Sequence, residues 1–170
     1  MKLFREKLMA LHAAVQTDPQ NPELHYLLSR NYLVLFELLQ QRSENQFVLA
    51  QIRSTIEQSG FESDEEISEW LNRAVGENLK YAIASGQHAE RALQLNPLQA
   101  NAYWQVAETG FLMGRKPGFE KECVAQARAL WPYDGQVLYI AGRDAASEGD
   151  LEKMMELWKS AFHSKPIWQE

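Results

Sequence analysis

Residues 132–166, PYDGQVLYIAGRDAASEGDLEKMMELWKSAFHSKP, begin and end on prolines 34 positions apart and enclose two helical patterns. Apolar residues recur at steps of three and four on both sides of Gly149-Asp150, where glycine suits a turn and Asp150 offers an N-cap oxygen. The spacing predicts one helix over 133–147 and a second, returning antiparallel, over 151–163. Pro97 lies 35 positions before Pro132, and the stretch between them repeats the plan with one added residue in the Lys116-Pro117-Gly118 turn. A period near 34 marks stacked helix-turn-helix units.

Upstream the same logic continues less regularly. Leu3, Phe4, Leu8, Leu11, Ala14 and Val15 form one stripe that ends before Asp18-Pro19. Asn21 then stands as N-cap, Pro22 fits the first helical turn, and Glu23 complements the positive end of the helix dipole. The helix that follows carries Leu24, Leu27, Leu28, Tyr32, Leu35, Leu38 and Leu39, widened by Val34 and Phe36, and stops at Gln41-Arg42-Ser43-Glu44. Phe47, Leu49, Ile52 and Ile56 lead to a stop at Ser59-Gly60, and Ser63-Asp64-Glu65-Glu66 reads as a capping box. From Ile67 the apolar phase runs unbroken to Leu95 through Gly76 and Gly86, which favours one long helix over 64–95 against a break at Gly76-Glu77-Asn78. No alternating strand pattern between hairpin turns occurs, so the chain reads as all-helical.

These residues resemble the tetratricopeptide repeat. Leu138, Ala141-Gly142 and Ala145 match the first-helix positions of the last unit, and Met154, Trp158, Ala161 and Pro166 match the second. Tyr103, Val106-Ala107, Gly114, Ala127 and Pro132 match in the unit before it. Residues 18–28, DPQNPELHYLL, are similar to a junction between two repeats, with Tyr32 on the later aromatic position. The resemblance implies a single all-α domain over 1–170, built as a short right-handed solenoid of antiparallel helix hairpins. Its parts would be first repeat-like helices in 1–42, degenerate or inserted long helices in 43–96, and two better-matched hairpins in 97–166. Leu95 to Tyr103, Trp131 to Gly135 and Ala141 to Ala146 are also similar, more weakly, to the repeat tail of bacterial O-antigen ligase-type membrane proteins. That similarity implies an alternative, the soluble tail of a larger glycan-assembly protein.

The family uses its first helices to line a concave groove for an extended peptide or partner helix. Carried over position by position, the groove is Glu23, Tyr26, Arg30 and Leu33, then Asn101, Trp104, Glu108 and Phe111, then Gln136, Tyr139 and Arg143. Tyr26, Trp104 and Tyr139 are the anchor type, a broad apolar face with a polar tip. Arg30 and Arg143 could hold a partner's carboxylate or pair with Glu23, Glu108 or Asp144. The lysine-asparagine clamp of heat-shock-chaperone adaptors is absent, with Tyr26 and Arg30 where it would begin. The expected partner is therefore a protein or peptide of another kind.

Other classes find little support. Across 170 residues the net charge is −6 and the 17 basic residues form no block, so nucleic acid is not an expected partner. His12, His25, His88 and His163 sit in separate helices without metal spacing, no glycine-rich phosphate loop precedes a helix, and neither catalysis nor a cofactor is expected. Cys123 is alone and reads as a small packing residue. The start, MKLFREKLMALHAAV, lacks the apolar run of a signal peptide, and no stretch approaches a membrane span. A cytoplasmic protein, or a soluble domain attached to a membrane protein, is the expectation. Leu157, Trp158 and Phe162 on the last helix, with Trp168 beyond, suggest self-association through the C-terminal repeat.

Overall fold

A computed structural model describes residues 2–116 and 118–164. Among them the helices are α1 (Lys2–Thr17), α2 (Pro22–Gln40), α3 (Leu49–Gln58), α4 (Asp64–Ala74), α5 (Leu79–Leu95), α6 (Ala100–Thr109), α7 (Phe119–Leu130), α8 (Gly135–Ser147) and α9 (Leu151–His163). No strand occurs among the described residues. Pro117, Pro166 and Trp168, which the sequence reading used, lie outside them.

Local chemistry sets the boundaries. The Asn21 side chain accepts from the Glu23 and Leu24 amides, with Pro22 in the first turn of α2. Asp134 accepts from the Gln136 and Val137 amides at 3.0 Å, so α8 starts at Gly135, two residues later than the spacing predicts. Asp150 caps α9 through the Lys153 amide. The capping box at Ser63 forms by half: Ser63 accepts from the Glu66 amide, while the Glu66 carboxylate reaches the Glu62 amide instead of that of Ser63.

The expected long helix over 64–95 is two. Gly76 takes φ +64, and a 3₁₀ turn over Gly76–Asn78 separates α4 from α5. The apolar phase survives this break because Leu71, Val75, Leu79 and Ala82 all face one cluster, and the chain bends around it. Periodicity registers a shared burial direction, which a short turn can preserve without helical continuity.

The helices stack as antiparallel pairs, and the pairing skips the middle of the chain. The hairpin partner of α2 is α5: His25 meets His88, Ser29 meets Ser85, and Gln40 meets Asn78, so one sequence rises as the other falls. This pairing crosses the 42/43 boundary drawn from sequence. α6 then lies against α5, α7 against α6, α8 against α7 and α9 against α8. Small residues permit the close approaches. Ser29 and Ser85 are fully buried with their hydroxyls 3.2 Å apart, both within 3.4 Å of the Gln105 side-chain oxygen on α6. At Gly142 a Cβ would come within 2.4 Å of the Trp158 ring, as the repeat pattern requires of that position.

Two large apolar clusters hold the stack. One joins Ala89, Val106, Cys123, Leu138, Ile140 and Leu157. The other joins Leu33 and Phe36 of α2 to Leu49 and Ile52 of α3, Leu71 of α4 and Val75 at the end of α4. Phe36, Leu28 and Ile52 have no exposed surface, and burying each contributes about 1.5–3 kcal/mol. Where α1 meets α2 and α5, three histidines converge. The His25 Nε2–H donates to the Pro19 carbonyl, which leaves its Nδ1 as acceptor for the His88 Nδ1–H at 3.0 Å. His12 Nε2 lies 2.6 Å from the Tyr32 hydroxyl, and Tyr32 stacks on His88.

The last helix is better covered than the sequence suggests. Leu157 is 5% exposed and Trp158 half-buried, its indole N–H donating to the Tyr139 carbonyl at 3.0 Å. Phe162, with Leu151 and Met155, does face outward.

Candidate functional site

The first helices of the three hairpins, α2, α6 and α8, are bridged by polar side chains along one face. The Gln99 amide, just before α6, donates to the Glu23 carboxylate at 2.9 Å. Midway, Gln105 reaches Ser29. Arg143 of α8 binds Glu108 of α6. The eleven residues expected to line a groove all lie on these helices or on the turn that extends α6, and they divide sharply by exposure.

Glu23, Arg30 and Tyr139 are exposed, and Asn101, Gln136 and Arg143 are half-buried. Tyr139 is 49% exposed and its ring stacks at 5.8 Å on Trp158, which also bonds its carbonyl. An aromatic stacked on one face against a ring that is itself hydrogen-bonded to the helix has less freedom to lose on contact with a partner. Gln136, Tyr139 and Arg143 share a stripe on α8, and the reach of Arg143 to Glu108 turns that stripe toward α6.

Leu33, Trp104 and Phe111 do not form an open surface. All three pack in the cluster with Ile52, Leu71 and Val75, so α3 and α4 cover this end of the face. Trp104 also joins the other large cluster, and its indole N–H is buried without a partner. It is half-buried between the two clusters, because α3 and α4 lie where a ligand was expected. Tyr26, at 7% exposed, packs with Ala92 and Ala102 and keeps only its phenol beside Arg30 and Glu23. Glu108, also 7% exposed, is committed to Arg143.

The residue that sequence reasoning missed is Arg53 of α3. Its Nη2 donates to the Ala107 carbonyl at 2.8 Å and the Glu108 carbonyl at 3.1 Å, and its guanidinium lies 5.3 Å from the Phe111 ring centre. A helix runs short of internal donors in its last turn, so Arg53 acts on α6 as a C-terminal cap delivered from another helix. A lone arginine between Ile52 and Ile56 on the apolar side of a ten-residue helix was the available signal.

Charge gathers around Glu108. Partial desolvation and the nearby Glu108 charge both push the Glu37 carboxyl above its ordinary value, though the residue keeps an exposed side. Burial likewise raises Asp144, opposed by Arg143 and reinforced by Glu108. Burial works to neutralise Arg143, but the Glu108 carboxylate prevails and raises its pKa. Among the described residues no group of three or more His, Cys, Asp or Glu could hold a metal ion, and no helix is long and apolar enough to cross a membrane.

Neither a protein-family model nor a curated protein matches the chain. Among solved structures it is similar to the crystal structure of MamA, with 17% identity over 95% of this chain and 88% of that one and a TM-score of 0.41. So distant a likeness brings no function with it. The class rests on the helices themselves: an all-α stack of antiparallel helix hairpins.

Proposed function

We propose that the chain is a non-catalytic scaffold, a single unit of three hairpins (α2/α5, α6/α7, α8/α9), which binds a protein or peptide partner on the open end of the α2–α6–α8 face. The observation that carries this reading is Tyr139, a half-exposed aromatic clamped by Trp158 beside the Arg143–Glu108 pair. Rigid aromatics and arginines dominate binding energy at protein interfaces. Gln136 and Asn101 add amide donors and acceptors on the same helices, and Arg30 an exposed cationic edge for an acidic partner.

Affinity capture from source-cell lysate, with detergent-solubilised membranes included, tests the reading. Wild-type chain is compared with Tyr139→Ala, whose fold is checked by circular dichroism. A protein retained by the wild type and lost by the variant supports the scaffold; the same proteins on both baits, or none on either, contradicts it.

A further inference from the structure

The first half of the same face is occupied by the chain itself. α3 lies over α2 and α6 with Leu49, Ile52 and Ile56 among Leu33, Phe36 and Phe111, and with Arg53 on the last-turn carbonyls of α6. These four residues are one helical stripe, at positions i, i+3, i+4 and i+7, the spacing by which an amphipathic helix docks into a groove. The seating is that of a ligand more than of a solenoid layer. The Gln40 side-chain carbonyl accepts from the Asn78 side-chain amide at 3.0 Å, so α2 and α5 meet directly at the base of the segment between them. A cleft of about 310 Å³ also runs beside α3, lined by Arg53, Ile56, Ile67, Phe111, Lys116 and Phe119, so this seam is incompletely packed.

We infer that α3 is an internal occupant of a helix-binding slot between α2 and α6, and that the slot's external ligand is a helical peptide of the same pattern: aliphatic residues at positions 1, 4 and 8 and an arginine at position 5. The arginine is required because the slot ends on carbonyl groups and an aromatic ring, which a guanidinium satisfies together. The inference rests on reading the α2–α6–α8 face as a peptide-binding surface, and it extends that reading to a motif. A tethered occupant competes at an effective concentration in the millimolar range, so the intact chain binds such a peptide only weakly. Weakening α3 raises the open fraction, and apparent affinity rises in proportion.

The test uses a fluorescein-labelled peptide of residues 47–58, FVLAQIRSTIEQ, titrated by fluorescence anisotropy into full-length chain. Ile52→Ala/Arg53→Ala in the chain is expected to tighten binding by ~10-fold or more over wild type. The peptide with Arg53→Ala is expected to lose that binding. Equal affinity for wild type and variant, or no binding to either folded protein, overturns the inference. Should the double variant fail to fold, Arg53→Ala alone, which leaves no apolar cavity, takes its place. Hydrogen exchange on the wild type gives an independent result: α3 amides are expected to exchange well before those of α2 and α5, and exchange of all three together would contradict a displaceable α3. Loss of peptide binding with Tyr139-dependent capture intact sinks this inference alone, and the converse sinks only the scaffold reading.

Discussion

The Asn78 side-chain amide donates to the Gln40 side-chain carbonyl at 3.0 Å across 38 positions of sequence. That bond marks the base of an excursion: the chain leaves α2, forms α3 and α4, and returns to complete the hairpin with α5. Everything proposed for the α2–α6–α8 face follows from where the excursion lies, since α3 covers Leu33 and Phe111 and leaves Tyr139 open.

Gly142→Ala should destabilise the last hairpin. The added Cβ would meet Trp158 Cδ1 and Nε1 at 2.4 Å, and Trp158 cannot swing away freely while its N–H is bonded to the Tyr139 carbonyl. Overpacking of this kind costs about 1–3 kcal/mol. Chemical denaturation of variant and wild type measures it, and an unchanged midpoint would place Trp158 elsewhere.

Arg143→Ala should lose about 1–2 kcal/mol, less than a fully buried pair would, because the Arg143 side chain is 41% exposed while that of Glu108 is 9% exposed. Much of that loss is the cost of leaving Glu108 uncompensated. Adding Glu108→Gln to Arg143→Ala should therefore recover part of it, and a double-mutant cycle with no coupling would refute the pairing.

Stability should fall as the solution is acidified from about pH 6.5. Burial, with the neighbouring His25 and His12, lowers His88 from its ordinary 6.5 to about 4. The unfolded ring takes a proton first, so between these values the unfolded state binds more protons and stability declines with falling pH, levelling below about 4. His88→Gln keeps a donor for His25 and removes the titrating ring. Urea midpoints from pH 4 to 7.5 should show a shallower slope for the variant, and equal slopes would count against the buried cluster.

Cys123 should be inert in the folded protein. Burial, with Glu122 and Glu120 nearby, pushes its thiol up to about 11, and the side chain is 5% exposed. At pH 8 a disulfide reagent should react only at the rate at which the chain unfolds, and rapid reaction without denaturant would mean that the α7 packing is wrong.

Much of the fold was legible because local signals decided it. Asn21-Pro22, Ser63, Asp150 and the φ-positive Gly60 and Gly149 bound their helices through backbone chemistry that needs no tertiary context. The α2–α5 pairing was not legible in this way. Neighbouring helices are the default partners, and the residues that make the contact, Ser29 and Ser85, are small and polar and announce no core position. Trp104 illustrates the limit at the site. Its place on α6 was readable, but part of the packing that half-buries it comes from α3 and α4, whose docking depends on Arg53 and a cluster drawn from five helices. Tyr139 kept its exposure because, among the described residues, no helix is inserted beside α8.

The pairing of α2 with α5 underlies the whole account, and a cysteine pair at Ser29 and Ser85 tests it directly. Their hydroxyl oxygens are 3.2 Å apart, within reach of a disulfide, and Cys123 is the sole native thiol, so the count is clean. After mild oxidation and then denaturation, Ser29→Cys/Ser85→Cys should titrate as a single thiol, with α2 and α5 joined. Three free thiols would mean that α2 has another partner, and both the groove and its internal occupant would have to be abandoned.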